Sequence, residues 1–336
     1  MFWRLLLVVI ALGVSTIVFS FAYPLTPGTG MRSKLTQQEF PNDIIVGWVG
    51  DMVPSRDSTY NHAVLSFVAP ALVAPDLMIG NLEGTFAAEN RSSKCIYLLN
   101  RCHAFRGDAS FAEGLKTAGF DFVSLVNNHS YDYGEMGLAD TTAVLDAAGI
   151  PYVAPNKPFT SITVKGKRIG ILGLSSTEPT RTITDYDFIK NTVAKLKQEN
   201  DFVIVIFHGG NEGSDKTAVP GVNEYMGTED RGNVQLVAYT AIDAGADLVL
   251  GSGPHVLRKI ETYKGKKIAY SLGNFVGGNG SLVTSGTLGL SGIFTSTLSY
   301  DHSPDPTFTS VILTKNGTPT LDPLNRGKDL IEQLSQ

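Results

Sequence analysis

The chain has 336 residues and 43% of them are hydrophobic, so it can bury the core of one large domain or two smaller ones and is not a disordered polypeptide. Its 27 lysine and arginine residues and 32 aspartate and glutamate residues give a net charge of −5, without long runs of one sign. This pattern does not indicate nucleic acid as a partner, and an acidic polymer would need a local basic patch.

The chain begins with a membrane-targeting segment. Arg4 precedes residues 5–22, which carry no charge and are mostly apolar. We predict that residues 1–23 form an uncleaved anchor, which would make this a single-pass protein of the cell membrane with its C-terminal domain outside the cytoplasm. Residues 20–22 (Ser-Phe-Ala) also suit signal-peptide cleavage, which would give a secreted or periplasmic protein instead. Residues 24–42, rich in Pro, Gly, Thr and Gln, are predicted to be a linker.

Strand-like and helical patterns alternate after this linker and predict an α/β domain over residues 43–315. Buried strands are predicted at 44–50, 76–80, 120–126, 202–207 and 246–251, and helices at 109–118, 137–148 and 234–245. Hairpins are predicted about Gly166 and Gly265, and two more antiparallel strands between 286 and 314. The sheet should therefore be mixed. Residues 316–336 are predicted to be a polar C-terminal tail.

Candidate metal ligands follow five of the strand-like runs: Asp51, Glu83, Asn128, His208 and His255. Ligand groups in open α/β sheets lie at the carboxyl ends of strands, so we expect these five side chains to converge. Carboxylate, amide and imidazole groups suit one or two divalent metal ions, with Mn, Zn, Fe and Mg as candidates. For Asp51 alone the alternative is an ordinary turn, and for Glu83 a turn or helix cap.

Three other features bear on chemistry. His129 directly follows a candidate ligand and has an imidazole that can donate a proton. Arg56 could pair with a phosphate or carboxylate of a substrate, and an ordinary ion pair is the alternative. Cys95 and Cys102 are the only cysteines, and in an oxidising compartment we predict a disulfide between them. A metal site with His103 is the alternative there.

The sequence segments that carry these residues, in this order, resemble the CapA-type family of poly-γ-glutamate capsule biosynthesis. The domain of that family is similar to the calcineurin-type metallophosphoesterases. The matching segments are Gly50-Asp51 with Arg56, Asn81-Leu82-Glu83, Asn127-Asn128-His129 with Asp132-Tyr133-Gly134, His208-Gly209-Gly210 with Glu212, 244–247, Pro254-His255-Val256 and 270–275. The resemblance implies a four-layer α/β/β/α sandwich of the metallo-dependent phosphatase type with mixed sheets.

The resemblance also implies roles for individual residues. Asp51 and His255 would hold one ion, Asn128 and His208 would hold the other, and Glu83 would be shared. His129 would be the proton donor. Substrate would contact three residues, namely Arg56, Glu212 and Asn274.

Two departures from the family pattern bear on activity. A histidine of the pattern Gly-His-x-Pro-His is replaced at Ser252 or Gly253, and Val53 stands where true phosphoesterases have a histidine. Two hypotheses follow. In the first, the protein is a metal-dependent hydrolase of a phosphoester or amide-type bond, and Arg56 neutralises the anionic oxygen of the group under attack. In the second, it is a non-catalytic assembly factor that would hold an anionic capsule polymer, its precursor, or membrane proteins of a capsule synthesis complex.

Overall fold

The computed structural model describes residues 42–95, 102–177 and 182–336. In chain order the strands are β1 (Ile44–Val53), β2 (Leu77–Leu82), β3 (Phe122–Ser124), β4 (Tyr152–Val153), β5 (Phe159–Val164), β6 (Lys167–Ser175), β7 (Phe202–His208), β8 (Glu224–Met226), β9 (Glu229–Gly232), β10 (Leu248–Ser252), β11 (Ile260–Tyr263), β12 (Lys266–Ala269), β13 (Asn274–Gly277), β14 (Leu290–Leu298), β15 (Thr307–Leu313) and β16 (Pro319–Leu321). The helices are α1 (Ser58–Ala63), α2 (Ala69–Leu72), α3 (Ser110–Ala118), α4 (Gly134–Ala148), α5 (Tyr186–Glu199), α6 (Val234–Asp243) and α7 (Arg326–Leu334), and a 3₁₀ turn spans Gly286–Gly289.

Two mixed sheets carry the described fold. The first has the order β16-β15-β14-β1-β2-β3-β4, and β13 pairs in parallel with the second half of β1. Strands β1 to β4 are parallel, whereas β14, β15 and β16 are antiparallel to their neighbours. The second sheet has the order β11-β12-β10-β7-β6-β5, with parallel strands in the middle and a hairpin at each edge. The prediction of mixed sheets is confirmed.

Alternating side chains of the central strands build three separate cores. Trp48 of β1 and Ile204 of β7 point into the core between the two sheets. Val49, the next residue of β1, packs with helices α1 to α4 on the outer face of the first sheet. Val205, the next residue of β7, packs with α5 and α6 on the outer face of the second sheet. Because a strand alternates its side chains between two faces, these cores separate four layers, and the predicted α/β/β/α sandwich is confirmed.

The predicted hairpins and the C-terminal strands are also present. Lys165 and Gly166 connect β5 to β6, and Lys264 and Gly265 connect β11 to β12. All four of these turn residues have positive φ, which two-residue hairpin turns require. Residues 316–336 contribute β16, which pairs with β15, and α7, whose Ile331 is buried in the core between the sheets.

Cys95 and Cys102 form a disulfide, as predicted. The predicted anchor, residues 1–23, and nearly all of the predicted linker, residues 24–42, lie outside the described residues. In the part of the chain that is described, no helix combines the length and the apolar character needed to cross a membrane.

Candidate metal centre

The site begins at an irregularity in β1. The register of β1 against β2 shifts between Val49 and Asp51, and the backbone N–H of Asp51 donates to the carbonyl of Gly273, at 3.0 Å. A Cβ atom on Gly50 would lie 2.0 Å from that same carbonyl oxygen, so only glycine permits this approach. The irregularity places the carboxylate of Asp51 at the carboxyl end of the sheet.

Four of the five predicted ligands meet at this edge. The Nδ1 atom of His255 lies 3.1 Å from Oδ2 of Asp51 and 3.8 Å from Oε2 of Glu83. His208 lies 3.8 Å from Oδ1 of Asp51 through Nδ1 and 3.7 Å from Oε1 of Glu83 through Nε2. Asp51, Glu83 and His255 each offer a ligand atom, and these atoms lie within 4.8 Å of one another. Side chains far apart in sequence therefore form one buried cluster.

Polar atoms of the predicted ligands are buried without hydrogen-bond partners. They are Oδ2 of Asp51, both carboxylate oxygens of Glu83, Oδ1 of Asn128 and Nε2 of His208. A buried polar atom without a partner costs free energy, on the order of 1–3 kcal/mol for a neutral group and more for a charged one. Two carboxylates, an amide oxygen and two imidazoles are a donor set that fits a divalent cation.

Burial and charge oppose each other in this cluster. Burial raises the pKa of Glu83 well above its ordinary value, and the Asp51 carboxylate raises it further. Burial alone would raise the pKa of Asp51, but its contacts with His255 and the charge of His208 lower it. Burial likewise disfavours protonated His255, yet Glu83, Asp51 and Glu212 raise its pKa to about 10. Burial lowers the pKa of His208 well below its ordinary value. The carboxylates thus favour a positively charged group in this buried site.

His129 lies beside the cluster and is held from its outer side. Its Nε2 is 3.9 Å from Oε1 of Glu83, and its Nδ1 is 2.7 Å from Oδ2 of the buried Asp132. Lys94 donates to Oδ1 of Asp132 at 2.7 Å and to the carbonyl of Asn128 at 3.0 Å. Burial lowers the pKa of His129, although Asp132 opposes this shift. The ring therefore presents Nε2 to the cluster.

Glu212 and Asn274, both predicted to contact substrate, lie on opposite sides of the His255 ring. Oε2 of Glu212 is 3.6 Å from Nε2 of His255, and Oδ1 of Asn274 is 2.8 Å from Nδ1. Both residues line a cavity of about 370 Å³ together with His129 and His255. His255 itself has a φ of +60°, a backbone conformation that is unfavourable for a non-glycine residue.

Arg231 is part of the site and was not predicted from the sequence. Its side chain is fully buried, and its Nη2 lies 2.9 Å from Oε1 of Glu212. Its Nε donates to the carbonyl of Gly210, and its Nη1 donates to Glu229. In the sequence, the polar segment around Arg231 resembles an exposed turn. The one indication of Arg231 would be that Glu212, when largely buried, needs a cationic partner.

The backbone at Gly253 bears on whether Ser252 or Gly253 is the position without the histidine that the resemblance implies. Gly253 has a φ of +116°, and a Cβ atom there would lie 2.8 Å from the carbonyl oxygen of Gly209. No side chain fits at Gly253 on this backbone, which leaves Ser252 as the candidate position. The Oγ of Ser252 lies 3.1 Å from Nδ1 of His208 and is a hydrogen-bond partner of that ring nitrogen. Val53, at the other departure, is fully buried and offers no ligand atom.

Arg56 lies apart from the cluster. It is exposed and is not among the residues that line the cavity of His129 and His255. It lines a neighbouring cavity of about 430 Å³ with Arg106 and Asp57.

A comparison with solved structures agrees with this fold. The structure is similar to that of a phosphatase from Mycoplasma pneumoniae, with a TM-score of 0.51 and 15% sequence identity, over 81% of this chain and 94% of that one. The fold is therefore of the metallophosphatase type. Residues 43–279 match the family model described as bacterial capsule synthesis protein PGA_cap. The chain belongs to that family.

Two named relatives have similar sequences. The chain is 28% identical to the capsule biosynthesis protein CapA of Bacillus anthracis in an alignment 271 positions long, which covers 73% of this chain and 60% of the relative. It is 27% identical to the PGA biosynthesis protein CapA of Bacillus subtilis in an alignment 257 positions long, which covers 70% of this chain and 62% of the relative. The chain thus spans about three fifths of the length of these curated relatives.

Proposed function

We propose that this protein acts in the synthesis or export of an anionic bacterial capsule polymer, such as poly-γ-glutamate, through a metal-dependent hydrolytic cleft. Its family and the names of its two Bacillus relatives support the capsule role. The apolar segment at residues 5–22 supports a membrane-tethered protein whose domain lies outside the cytoplasm, next to membrane proteins of a capsule synthesis complex.

The observation that carries the hydrolytic part is the set of buried atoms without partners. Asp51, Glu83, Asn128 and His208 each have at least one such atom, and all four were predicted as ligands. Because desolvated carboxylates and imidazoles need partners, one or two divalent cations would satisfy the whole set. We propose these four residues and His255 as the metal ligands.

The cleft residues supply the remaining parts of a hydrolytic site. A divalent cation held there would polarise the bond to be broken and make water a better nucleophile. His129 is held by Asp132 through Nδ1, which leaves Nε2 facing the cluster. We propose that this nitrogen donates a proton to the leaving group. Asn274 contacts Nδ1 of the His255 ring, Glu212 lies 3.6 Å from its Nε2, and both side chains line the cavity, where they would contact substrate.

A non-catalytic assembly factor is the second candidate function, and one specific observation favours it. Ser252 stands in place of a histidine of the family pattern, and its hydroxyl contacts a ring nitrogen of His208. The centre therefore has one strong ligand fewer than the pattern provides. A weakened centre would still hold a polymer or a membrane partner.

Hydrolysis by the purified full-length protein separates these two functions. We expect cleavage of p-nitrophenyl phosphate, or of a γ-glutamyl anilide if the bond is of the amide type, after addition of Mn, Zn, Fe or Mg. The variant His129→Gln should lose activity by about 100-fold or more while it keeps its metal, because only proton donation is removed. The matched control is His62→Gln, since His62 is an exposed histidine outside the cleft. If neither substrate is cleaved with any metal, the hydrolase function is wrong and the assembly factor is favoured.

A further inference from the structure

The cavity that contains Arg56 adjoins the metal cleft. It is lined by Arg56 and Arg106, and it shares two wall residues, Phe105 and Ser281, with the cavity of His129 and His255. Phe105 also packs against the ring of His129, with ring centroids 4.3 Å apart. The two cavities are therefore neighbours that share the Phe105 side chain in their lining.

The backbone that carries each arginine is fixed. The carbonyl of Ser55, just before Arg56, accepts from the N–H of Asp108 at 2.8 Å, and the N–H of Ser55 donates to Asn61. On the other side, Arg106 forms a β-bridge with Thr85. The next residue, Gly107, has no room for a side chain because its Cβ would lie 2.3 Å from Cβ of Pro54. Both guanidinium groups thus start from rigid positions.

The two guanidinium groups have donors left for a ligand. Arg56 makes no hydrogen bond or ion pair within the described part of the chain. Arg106 uses Nη1 on the carbonyls of Ala88 and Glu89, at 3.4 and 3.0 Å, which fixes its side chain and leaves its other nitrogens. The nearby carboxylate of Asp57 already accepts from the N–H of Tyr60 and from the amide of Asn279.

The cavity of the metal cleft, as lined by the described residues, has no exposed arginine or lysine donors. Among the described residues that line it there is no lysine or arginine, whereas Glu212 contributes a carboxylate and Met226, Leu282 and Val283 contribute apolar surface. An acidic polymer that enters the cleft would bring carboxylates on the units beside the bond to be cleaved. Because the buried Arg231 is already paired with Glu212, the guanidinium groups open to these carboxylates are those of Arg56 and Arg106 in the adjoining cavity.

We propose that Arg56 and Arg106 form an anion subsite that binds a carboxylate of an acidic polymer on a unit adjacent to the one in the metal cleft. This inference rests on the proposed function for the class of polymer, and it assigns a binding role to Arg106, which was not predicted from the sequence. Arginine binds carboxylates through paired, charge-assisted hydrogen bonds, which suits two guanidinium groups with unused donors in one cavity.

Direct binding to the full-length protein tests this subsite without requiring catalysis. The probe is a fluorescent γ-linked glutamate octamer, and the comparison ligand is the γ-linked isoglutamine octamer of the same length, in which each free α-carboxylate is replaced by an amide. Anisotropy titrations should give a Kd about tenfold weaker for Arg56→Ala and for Arg106→Ala, since each loses a charge-assisted contact. The isoglutamine octamer should bind more weakly, and its Kd should not respond to either variant.

Matched variants keep the test decisive. Arg168→Ala removes another exposed arginine, at the opposite end of β6 from the cleft, and should leave the Kd unchanged. Arg56 makes no hydrogen bond or ion pair in the described chain, so Arg56→Ala should fold normally even if Arg106→Ala does not. Equal binding of both octamers, or an unchanged Kd in Arg56→Ala, would overturn the proposal.

Three further results are distinguishable. If inorganic phosphate displaces the glutamate octamer and binds as tightly as it does, the subsite takes any free oxyanion and the polymer assignment is wrong. If Asp51→Asn abolishes hydrolysis while octamer binding and its arginine dependence persist, the subsite is supported independently of the metal. If wild-type protein binds the octamer in this way but hydrolyses nothing, only the hydrolytic part of the proposed function fails.

Discussion

At the residue scale, the position of the Asp51 carboxylate depends on the absence of a side chain at Gly50. We predict that Gly50→Ala destabilises the fold by about 3 kcal/mol, because the new methyl group would meet the carbonyl of Gly273 and neither backbone can move far. Urea unfolding followed by circular dichroism measures this change.

The matched control for that prediction is Gly265→Ala in the β11–β12 turn. Gly265 has a φ of +78°, and no atom lies within 4 Å of the place its methyl group would take, so the cost is conformational only, about 1 kcal/mol. Equal losses of stability in the two variants would show that the contact with Gly273 does not matter.

The ligand-type residues could be predicted because the end of a buried strand is visible in the local sequence. Asp51, Glu83 and His208 each follow an apolar run, and parallel strands bring such ends to one edge. The place of Arg231 in the site could not be predicted, since its partner Glu212 meets it only in the folded chain. The same holds for Lys94, which reaches Asp132 from the segment beside the disulfide.

At the element scale, the last helix is attached to the first sheet by one buried carboxylate. Asp322 precedes α7, and its Oδ2 accepts from the N–H of Arg326 at 2.7 Å and from the hydroxyl of Ser310 at 3.3 Å. Burial alone would raise the pKa of Asp322, but the hydrogen bonds and the charge of Arg326 lower it below its ordinary value of 3.8. The contact made by Asp322 could not be predicted, because a single buried aspartate among polar residues carries no local signal in the sequence.

This contact predicts a pH dependence of stability. A carboxyl group whose folded pKa is lowered stabilises the fold above its ordinary pKa, and this contribution is lost as the pH falls through the folded pKa. Asp322→Asn should therefore lower the free energy of unfolding at pH 7 by about 1–2 kcal/mol, and the deficit should narrow below pH 3.8. Urea titrations at several pH values measure it.

Asp329→Asn on the same helix is the matched control, because the side chain of Asp329 is exposed. It should cost less than Asp322→Asn at pH 7. A deficit for Asp322→Asn that stays constant from pH 7 to pH 3 would contradict the role given to the ionised carboxylate.

At the scale of the whole molecule, the candidate centre exists because two sheets pack with the carboxyl ends of their parallel strands at the same side. β1 and β2 of one sheet supply Asp51 and lead to Glu83, whereas β7 of the other sheet supplies His208. The indole N–H of Trp48 donates to the carbonyl of Gly251, at 3.2 Å, and ties the two sheets together directly below the site. The alternation of strands and helices predicted the layers, but their relative placement depends on contacts of this kind.

This shared edge should bind a divalent metal ion, and the amount of metal bound to the purified full-length protein tests that most directly. Elemental analysis after dialysis against Mn, Zn, Fe or Mg should find bound ion in the wild type, and Asp51→Asn should weaken that binding by roughly tenfold or more, because an anionic ligand is lost. Asp76→Asn is the matched control, since Asp76 contacts Lys165 and the N–H of Ile45 and takes no part in the cluster. A wild type that retains no ion of any of the four metals, or an Asp51→Asn variant that retains as much as the wild type, would contradict a metal centre at this edge.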